Sequence, residues 1–288
     1  MKYAFMRAHQ PIFRIRRMCR ALGVSASGYY AWWDRPLSRR AEANRQLVAE
    51  IQRVHTAARG VYGARKTWRQ LRAEGIRCGK HRVARLRRLH GIEATRRRRF
   101  KLTTQSRQGQ WIAPNRLARQ FTAPAPNRAW VGDVTCVATR EGWLYLAVLL
   151  DLYSRTVVGW AMSERINHAL VLRALQMAIS RRRPKPGLIH HTDRGAIYAA
   201  DAYRHLLTAH GMAASMGRKG DCYDNAVAES FFSTVKNELA VASPYASRQD
   251  AQTALFEYIE VFYNRQRLHQ TLGYRTPQQV DEQTVSQD

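Results

Sequence analysis

Three acidic residues lie in sequence contexts where a carboxylate could bind a metal ion. Asp133 lies within a run of strand-forming residues, Asp193 follows a short apolar run, and Glu229 lies in a helical pattern. A carboxylate among strand residues is costly unless it meets a cation or a hydrogen-bond donor. Mg²⁺ prefers oxygen ligands, and two such ions could activate the attacking oxygen and stabilise the leaving oxygen in phosphoryl transfer. The three residues are therefore candidate metal ligands for that chemistry.

Each of these acids also has an ordinary structural explanation when it is taken alone. Asp133 would be a polar residue of an edge strand, Asp193 a turn former and Glu229 a surface charge on a helix. Taken together, with 35 residues between Asp193 and Glu229, they form a pattern that the separate explanations do not account for. Lys236 follows Glu229 by two helical turns and shares its helix face, although by itself it could equally be a surface lysine.

The positive charge is concentrated in the first part of the chain. The 288 residues carry a net charge of +27, and residues 1–120 hold 30 Lys and Arg against five Asp and Glu. Residues 121–288 hold 18 against 16. This concentration of positive charge favours a surface that binds a nucleic acid over one that is merely solvated, because phosphate contacts release counterions. The basic segments lack a wide apolar face, which argues against binding to a membrane surface.

Other features of the sequence argue against several classes of protein. Hydrophobic residues make up 45% of the chain, enough for a buried core, yet no apolar run is long enough for a membrane span. The N-terminus lacks the apolar core of a signal peptide. The four cysteines are far apart, and the histidines lack cysteine partners at zinc-ligand spacing, which argues against a disulfide framework and a zinc ribbon. We therefore expect a cytoplasmic protein.

Helical patterns separated by short turns fill the basic part of the chain. Residues 12–33 predict two short helices, the second capped by Ser25, in the outline of a helix-turn-helix. A longer helix is expected at about 39–58. Residues 63–90 predict a second helix pair of the same kind.

The second helix pair supplies most of the candidate phosphate contacts. We expect Val83, Leu86 and Leu89 to face inward and the arginines of that helix, including Arg87, to face outward. These arginines have no acidic partners within the helix, so phosphates would relieve their mutual repulsion. The candidate nucleic-acid contacts of the region are Arg65, Lys66, Arg69, Lys80, Arg82, Arg85, Arg88, Arg96, Arg97, Arg98 and Arg99.

The pattern changes twice after residue 95. Periodicity is lost from 96 to 125, which we interpret as an extended basic linker. Three consecutive strands and then alternating helices and strands predict a mixed α/β sheet with helices packed on it. The predicted strands are 130–138, 143–151, 155–162, 188–191 and 212–216, and the predicted helices are 168–182, 200–210, 224–240 and 248–264.

Residues 128–280 resemble the integrase catalytic core of bacterial insertion-sequence transposases, specifically the second-reading-frame product of the IS-three family. The acid spacing matches the Asp-Asp-(35)-Glu signature of the retroviral-integrase-like transposases. Gly132 stands where the family usually has Thr, and Thr192 stands where it usually has Ser. The segments that carry the resemblance are 128–135, 145–160, 191–195 (His-Thr-Asp-Arg-Gly), 220–232 and 263–269 (Tyr-Asn-Arg-Gln-Arg-Leu-His), together with 16–32 and 62–66 in the basic region.

The resemblance implies an RNase H-like fold in which Asp133, Asp193 and Glu229 bind two Mg²⁺ ions, with Mn²⁺ as a substitute. Such enzymes cleave a strand at the end of a mobile element and join the freed 3′-OH to another phosphodiester. Lys236 would contact the terminal bases or phosphates. The implied partners are double-stranded DNA, as terminal inverted repeats and as target, further copies of the chain on that DNA, and an upstream-frame product fused by ribosomal frameshifting. The implied location is the bacterial cytoplasm, at the nucleoid.

The predicted fold class is an α/β RNase H-like catalytic core, a mixed sheet flanked by helices, preceded by an all-α helix-turn-helix DNA-binding region. The predicted parts are a helix-turn-helix-like region (1–58), a second helix-turn-helix-like DNA-binding unit (59–95), a basic linker (96–126), the catalytic core (127–240) and its helical extension (241–288).

Two other functions and one structural question stay open from the sequence. The same metal site would serve an RNase H-like nuclease that hydrolyses DNA without joining it. A pure DNA-binding repressor would keep the acids as relics and use the basic half alone.

The sequence allows two structural roles for the segment near the C-terminus. It either completes the core near the site or forms a surface patch, and the side chains in question are those of Tyr263, Arg265, Arg267 and His269.

Overall fold

Helices form most of residues 1–95 in the computed structural model, which describes residues 1–36, 38–95, 111–218, 225–239 and 244–285. Ser25 caps the third helix as predicted, since its hydroxyl accepts a hydrogen bond from the Gly28 N–H at 3.0 Å. The first three helices enclose one small apolar core and the next three enclose another. The helices are α1 (Lys2–His9), α2 (Ile15–Leu22), α3 (Ala26–Trp33), α4 (Arg39–Ala57), α5 (Ala64–Ala73) and α6 (Lys80–Leu89).

The inner face of α6 differs from the sequence prediction at two positions. Leu89 is exposed, whereas Arg87 is buried and donates a hydrogen bond to the Thr67 hydroxyl at 3.0 Å. A strict three-residue spacing drifts around a helix of about 3.6 residues per turn, so Leu89 leaves the face that Val83 and Leu86 share. Arg87, four residues after Val83, lies on that face instead. The predictions that Leu89 faces inward and Arg87 outward were wrong.

One mixed sheet of five strands organises the second half, in the order β3-β2-β1-β4-β5. Its central strand, β1, pairs antiparallel with β2 and parallel with β4. Asp133 therefore lies on a central strand and is not an edge-strand residue. The strands are β1 (Ala129–Thr139), β2 (Gly142–Asp151), β3 (Val157–Ser163), β4 (Ile189–Thr192) and β5 (Ala213–Met216).

Helices cover both faces of this sheet, which is why β2 is apolar along most of its length. The helix predicted at 248–264 is α-helical to Phe256 and π-helical over Glu257–Tyr263. Within the described ranges, none of the helices is both long and apolar enough to cross a membrane. The helices of this half are α7 (His168–Arg182), α8 (Asp201–Ala209), α9 (Ala226–Glu238), α10 (Arg248–Phe256) and α11 (Pro277–Val285).

Two apolar cores lie on opposite sides of the sheet because alternate strand residues point to opposite faces. Leu146 and Val148 of β2 enter the core that contains α9, α10 and the π-helical segment. Ala147 and Leu149 enter the core that contains α7 and α8. The helix α9 is thereby held against the face of the sheet.

Candidate active site

Asp133 and Asp193 lie side by side in the middle of the sheet. β1 and β4 run parallel with Val131 paired to His191, and each aspartate follows that pair by two residues. Asp133 continues β1, whereas Asp193 directly follows the last residue of β4, Thr192. Equal steps along two parallel strands bring side chains to the same level and the same side of a sheet. The structure thus brings these two predicted acids together.

Glu229 approaches this pair from a helix and not from the sheet. It lies in the first turn of α9, and Lys236 lies in the last turn of the same helix. Asn225, at the N-cap of α9, points its side-chain amide at the Gly132 carbonyl oxygen at 3.5 Å. The start of α9 is therefore next to β1 at the residue before Asp133. Asn225 falls in the matched segment 220–232, but the sequence did not single it out.

The pKa of Asp133 reflects the proximity of these charged groups. It is raised to about 8, first by burial and then by the negative charge of Asp193, to which Glu229 adds. A hydrogen bond from the Val134 N–H at 2.8 Å and the positive charge of Lys236 act in the opposite direction. Asp193, Glu229 and Lys236 therefore all lie close enough to Asp133 for their charges to act on it.

The other two acids are also poorly solvated. Burial raises the pKa of Asp193, and a hydrogen bond from the Gly195 N–H at 2.9 Å offsets part of that rise. Burial raises the pKa of Glu229 as well. A cation bound between these clustered carboxylates would favour their ionised forms, which burial and mutual repulsion disfavour.

The donor set fits a hard divalent cation, but its three members do not yet share one position. Carboxylate oxygens are the ligands that Mg²⁺ prefers. Within the part of the chain that the structure describes, no three His, Cys, Asp or Glu side chains converge closely enough to hold one ion. Asp133 and Asp193 form the core of the candidate site, and α9 carries Glu229 close enough for its charge to act on Asp133.

His190 explains why a glycine precedes the first aspartate. A Cβ at position 132 would lie 3.0 Å from His190 Cε1 and 3.5 Å from Thr192 Cγ2. The His190 ring is buried, and its Nε2 is 2.6 Å from the Tyr203 hydroxyl oxygen. The absence of a side chain at Gly132 therefore leaves room for His190 beneath the site.

Tyr198 is a neighbour of the site that the sequence did not indicate. It is buried in a short 3₁₀ turn, Ala196–Tyr198, which follows the matched segment 191–195. Its pKa is raised by burial and by the charges of Asp133 and Asp193, so it lies close to both aspartates. An aromatic residue in a turn carries no sequence signal that separates it from ordinary core.

Most of the segment 263–269 is buried in the core, and Arg265 and Gln266 are exposed. Tyr263, Arg267 and His269 are buried, whereas Arg265 is exposed. Arg267 forms a two-pronged ion pair with Glu238, from Nε to Oε2 at 2.7 Å and from Nη2 to Oε1 at 2.6 Å. Of the two open alternatives, the core role applies to the first three residues and the surface role to Arg265.

The candidate DNA contacts of the basic region that the structure describes lie on α5 and α6. Arg65, Arg69, Lys80, Arg85 and Arg88 are exposed, and Lys66 and Arg82 are half-buried. The Arg65 and Arg69 guanidinium groups lie over the Tyr274 ring, at 5.4 and 5.1 Å from its centroid. The remaining candidates, Arg96, Arg97, Arg98 and Arg99, lie outside the described residues.

A cleft of about 220 Å³ lies between the start of α5 and the end of α9. Lys66 contributes to its wall from one side, and Thr234 and Asn237 contribute from the other. A larger cleft of about 800 Å³ lies between α4, α5 and the C-terminal segment, and none of the three acids lines it. The smaller cleft thus lies between a basic helix and the helix that carries Glu229.

Comparison with known families agrees with this architecture. The sequence matches an HTH-like domain over residues 42–100, an integrase core domain over 123–222 and a second integrase core domain over 210–277. Among solved structures, it is similar to a simian T-cell lymphotropic virus intasome (19% identity, 61% of this chain and 60% of that one, TM-score 0.47). It is also similar to the HTLV-2 integrase catalytic core domain (20% identity, 55% and 98%, TM-score 0.42).

The fold and the family matches define a DNA transposase with an RNase H-like integrase core and a helix-turn-helix-like region. The chain is 45% identical over 260 residues to the insertion element IS600 uncharacterized 31 kDa protein of Shigella sonnei, covering 90% of this chain and 96% of that protein. It is 39% identical over 288 residues to transposase InsF for insertion sequence IS3A of Escherichia coli, covering 99% and 100%. The chain belongs to the IS3 (IS-three) family of insertion-sequence transposases.

Proposed function

We propose that Asp133, Asp193 and Glu229 are the catalytic carboxylates of this transposase. The observation that carries the proposal is the register of β1 and β4, which sets the two aspartates at one level of the sheet. The charge of Glu229 reaches the same site from α9. Bound by these carboxylates, two Mg²⁺ ions, or Mn²⁺ in their place, would activate the attacking oxygen and stabilise the leaving oxygen.

The protein groups around the acids then position the DNA. Lys236 lies on the same helix as Glu229 and its charge reaches Asp133, so it is suited to contact the terminal nucleotides beside the cleaved bond. The Val134 and Gly195 N–H groups fix one oxygen of each aspartate and leave the other oxygen of each for a metal ion. The reaction we propose is cleavage at the end of the element, followed by attack of the freed 3′-OH on target DNA.

The basic helices would hold the terminal inverted repeat next to this site. Arg65 and Lys66 line the cleft opposite Asn237 of α9, so a DNA backbone bound along the basic helices would approach the helix that carries Lys236 and Glu229. We also propose that the chain is divided into the parts 1–58, 59–95, 96–126, 127–240 and 241–288. The proposed DNA contacts are Arg65, Lys66, Arg69, Lys80, Arg82, Arg85, Arg88, Arg96, Arg97, Arg98 and Arg99.

The assembly we propose contains at least two copies of the chain on paired DNA ends. Joining two ends requires two sets of end contacts. An upstream-frame product, fused by frameshifting, would be a further partner, and the DNA substrate would place the reaction at the nucleoid in the bacterial cytoplasm.

The test is a titration of the full chain with Mg²⁺ on labelled duplexes taken from the DNA that flanks its own gene. Strand transfer predicts cleaved ends and then joined products. Cleaved ends that never join would identify a nuclease, and DNA that is bound but uncut at every Mg²⁺ concentration would identify a repressor. Either of these results contradicts the proposal.

A further inference from the structure

The end of α9 is held by the segment 263–269, which we call the C-terminal strap. The carboxylate of Glu238, the last residue of α9, receives two hydrogen bonds from Arg267 and a third from the Tyr258 hydroxyl at 2.8 Å. Arg267 is buried, and a two-pronged arginine–carboxylate contact fixes orientation as well as distance. Tyr263 adds an edge-to-face contact with Phe231 of α9 at 4.8 Å. The strap therefore fixes the position of α9 at its C-terminal end.

The same strap is held from its other side by the helix-turn-helix-like region. Tyr62, just before α5, donates its hydroxyl hydrogen to the Gln266 carbonyl at 3.0 Å and accepts a hydrogen bond from the Leu268 N–H at 2.7 Å. These two backbone groups flank Arg267. The Leu268 side chain is buried in the core formed by α4, α5 and α6. Tyr62 of the basic region therefore holds the backbone on both sides of Arg267, the residue that binds the end of α9 through Glu238.

Of the three acids, only Glu229 lies on α9, so the position of α9 affects the placement of Glu229 and not that of the two aspartates. Asp133 lies on β1 and Asp193 directly follows β4, so the β1–β4 pairing sets their relative position. Glu229 is carried by α9, and within the described residues no three His, Cys, Asp or Glu side chains, these acids included, converge on one ion position. A shift of α9 would therefore change the third ligand and leave the first two in place.

We infer that Arg267 is a positioning residue that sets Glu229 against the two aspartates through Glu238 and α9, and that Tyr62 links this contact to the DNA-binding helices. The inference rests on the proposed function of the three acids. The strap then has an effect on metal affinity, which a segment that only fills the core would not have. Loosening the strap weakens metal binding without removing a metal ligand.

The test compares two conservative variants with a matched control in the full chain. Arg267→Lys keeps the charge and loses the two-pronged contact, and Tyr62→Phe keeps the ring and loses both hydrogen bonds. Arg265→Lys is the control, because this side chain lies on the strap but is exposed. The measurements are Mn²⁺ binding by electron paramagnetic resonance of the free ion, the Mg²⁺ concentration for half-maximal cleavage of flanking-DNA duplexes, and metal-free DNA affinity.

We expect Arg267→Lys to weaken Mn²⁺ binding roughly tenfold and to raise the half-maximal Mg²⁺ concentration by a similar factor, as loss of an outer-shell partner does at other metal sites. Tyr62→Phe should act in the same direction by a smaller factor, and Arg265→Lys should change neither value. DNA affinity without metal should stay the same in all three. A protein that was merely less stable would unfold at a lower temperature with an unchanged metal affinity in its folded fraction.

Unchanged metal affinity in Tyr62→Phe overturns the link to the basic region, and unchanged affinity in both variants overturns the positioning role. If Arg267→Lys does not fold, Tyr62→Phe decides the question alone. If the wild type binds no Mn²⁺ in isolation, the same titration is made on its complex with DNA. A wild type that binds Mn²⁺ but never cleaves would contradict the proposed function, and the comparison of metal affinities would still test the strap.

Discussion

The ring of His190 occupies the space that a side chain at position 132 would need, since a Cβ on Gly132 would lie 3.0 Å from His190 Cε1. The contact to Tyr203 keeps this ring in place. We predict that Gly132→Thr, which introduces the residue usual in the family, lowers the free energy of unfolding by about 1–3 kcal/mol through overpacking. It should also reduce cleavage, because it displaces the backbone next to Asp133. Urea denaturation and a cleavage assay measure the two effects.

A double-variant cycle identifies the cause of this effect. His190→Ala removes the obstructing ring, so Gly132→Thr should cost much less stability in that background than in the wild type. Additive losses from the two substitutions would show that the crowding at His190 is not the reason for the glycine.

The sequence predicted the local features of this protein well and its long-range contacts poorly. Strand alternation and turn residues located β1, β2 and β4 to within two residues, and the context of Asp133 and Asp193 followed from that. A strict three-residue spacing misplaced Leu89 and Arg87, because it drifts off the inner face of a helix with about 3.6 residues per turn. The contacts of Arg267 with Glu238 and of Tyr62 with Leu268 join residues far apart in the chain, and no periodicity encodes them.

The acid stability of the core should depend on His190. Burial, and secondarily the charge of His191, lower the pKa of His190 from its usual 6.5 to about 3, so the folded protein keeps this ring neutral. Below about pH 6.5 the unfolded chain binds a proton that the folded chain does not, and stability therefore falls as the pH falls from there towards 3. Between about pH 7 and pH 5 this single group accounts for a loss of about 2 kcal/mol.

The comparison that isolates this contribution is urea denaturation of the wild type and His190→Gln at both pH values. The glutamine amide does not titrate and retains a polar partner for Tyr203. The wild type should lose about 2 kcal/mol more than the variant on acidification. Equal losses in the two proteins would remove His190 as the source of the pH dependence.

Arg85 should contribute to DNA binding through phosphate contact. It is exposed on α6, so Arg85→Ala should lower the slope of log affinity against log salt concentration by about 0.9 and weaken all DNA sequences alike. Lys185→Ala is the control, since this lysine is exposed on the catalytic core after α7. Binding curves at several salt concentrations give both slopes. A sequence-selective loss in Arg85→Ala would indicate a base contact instead.

The catalytic core should fold without the basic helices. Its two apolar cores are formed almost entirely by residues after 112, with Val61 as a marginal contributor. A fragment that starts at Trp111, and so keeps Ala113 and Leu117 of these cores, should therefore give a cooperative unfolding transition and nick DNA weakly and without sequence preference in Mg²⁺. Residues 1–120 should bind flanking DNA in preference to random DNA and cut nothing. A core fragment with the full salt slope and end preference would contradict this division of labour.

The most direct test of the account is to replace each acid by its amide and follow binding and chemistry separately. Asp133→Asn, Asp193→Asn and Glu229→Gln keep the shape of the side chain and remove the charge that a metal ion requires. Each should abolish both cleavage and joining of labelled flanking DNA in Mg²⁺, with DNA affinity equal to that of the wild type. Turnover near the wild-type rate in any one of the three would contradict the assignment of that residue to the metal site.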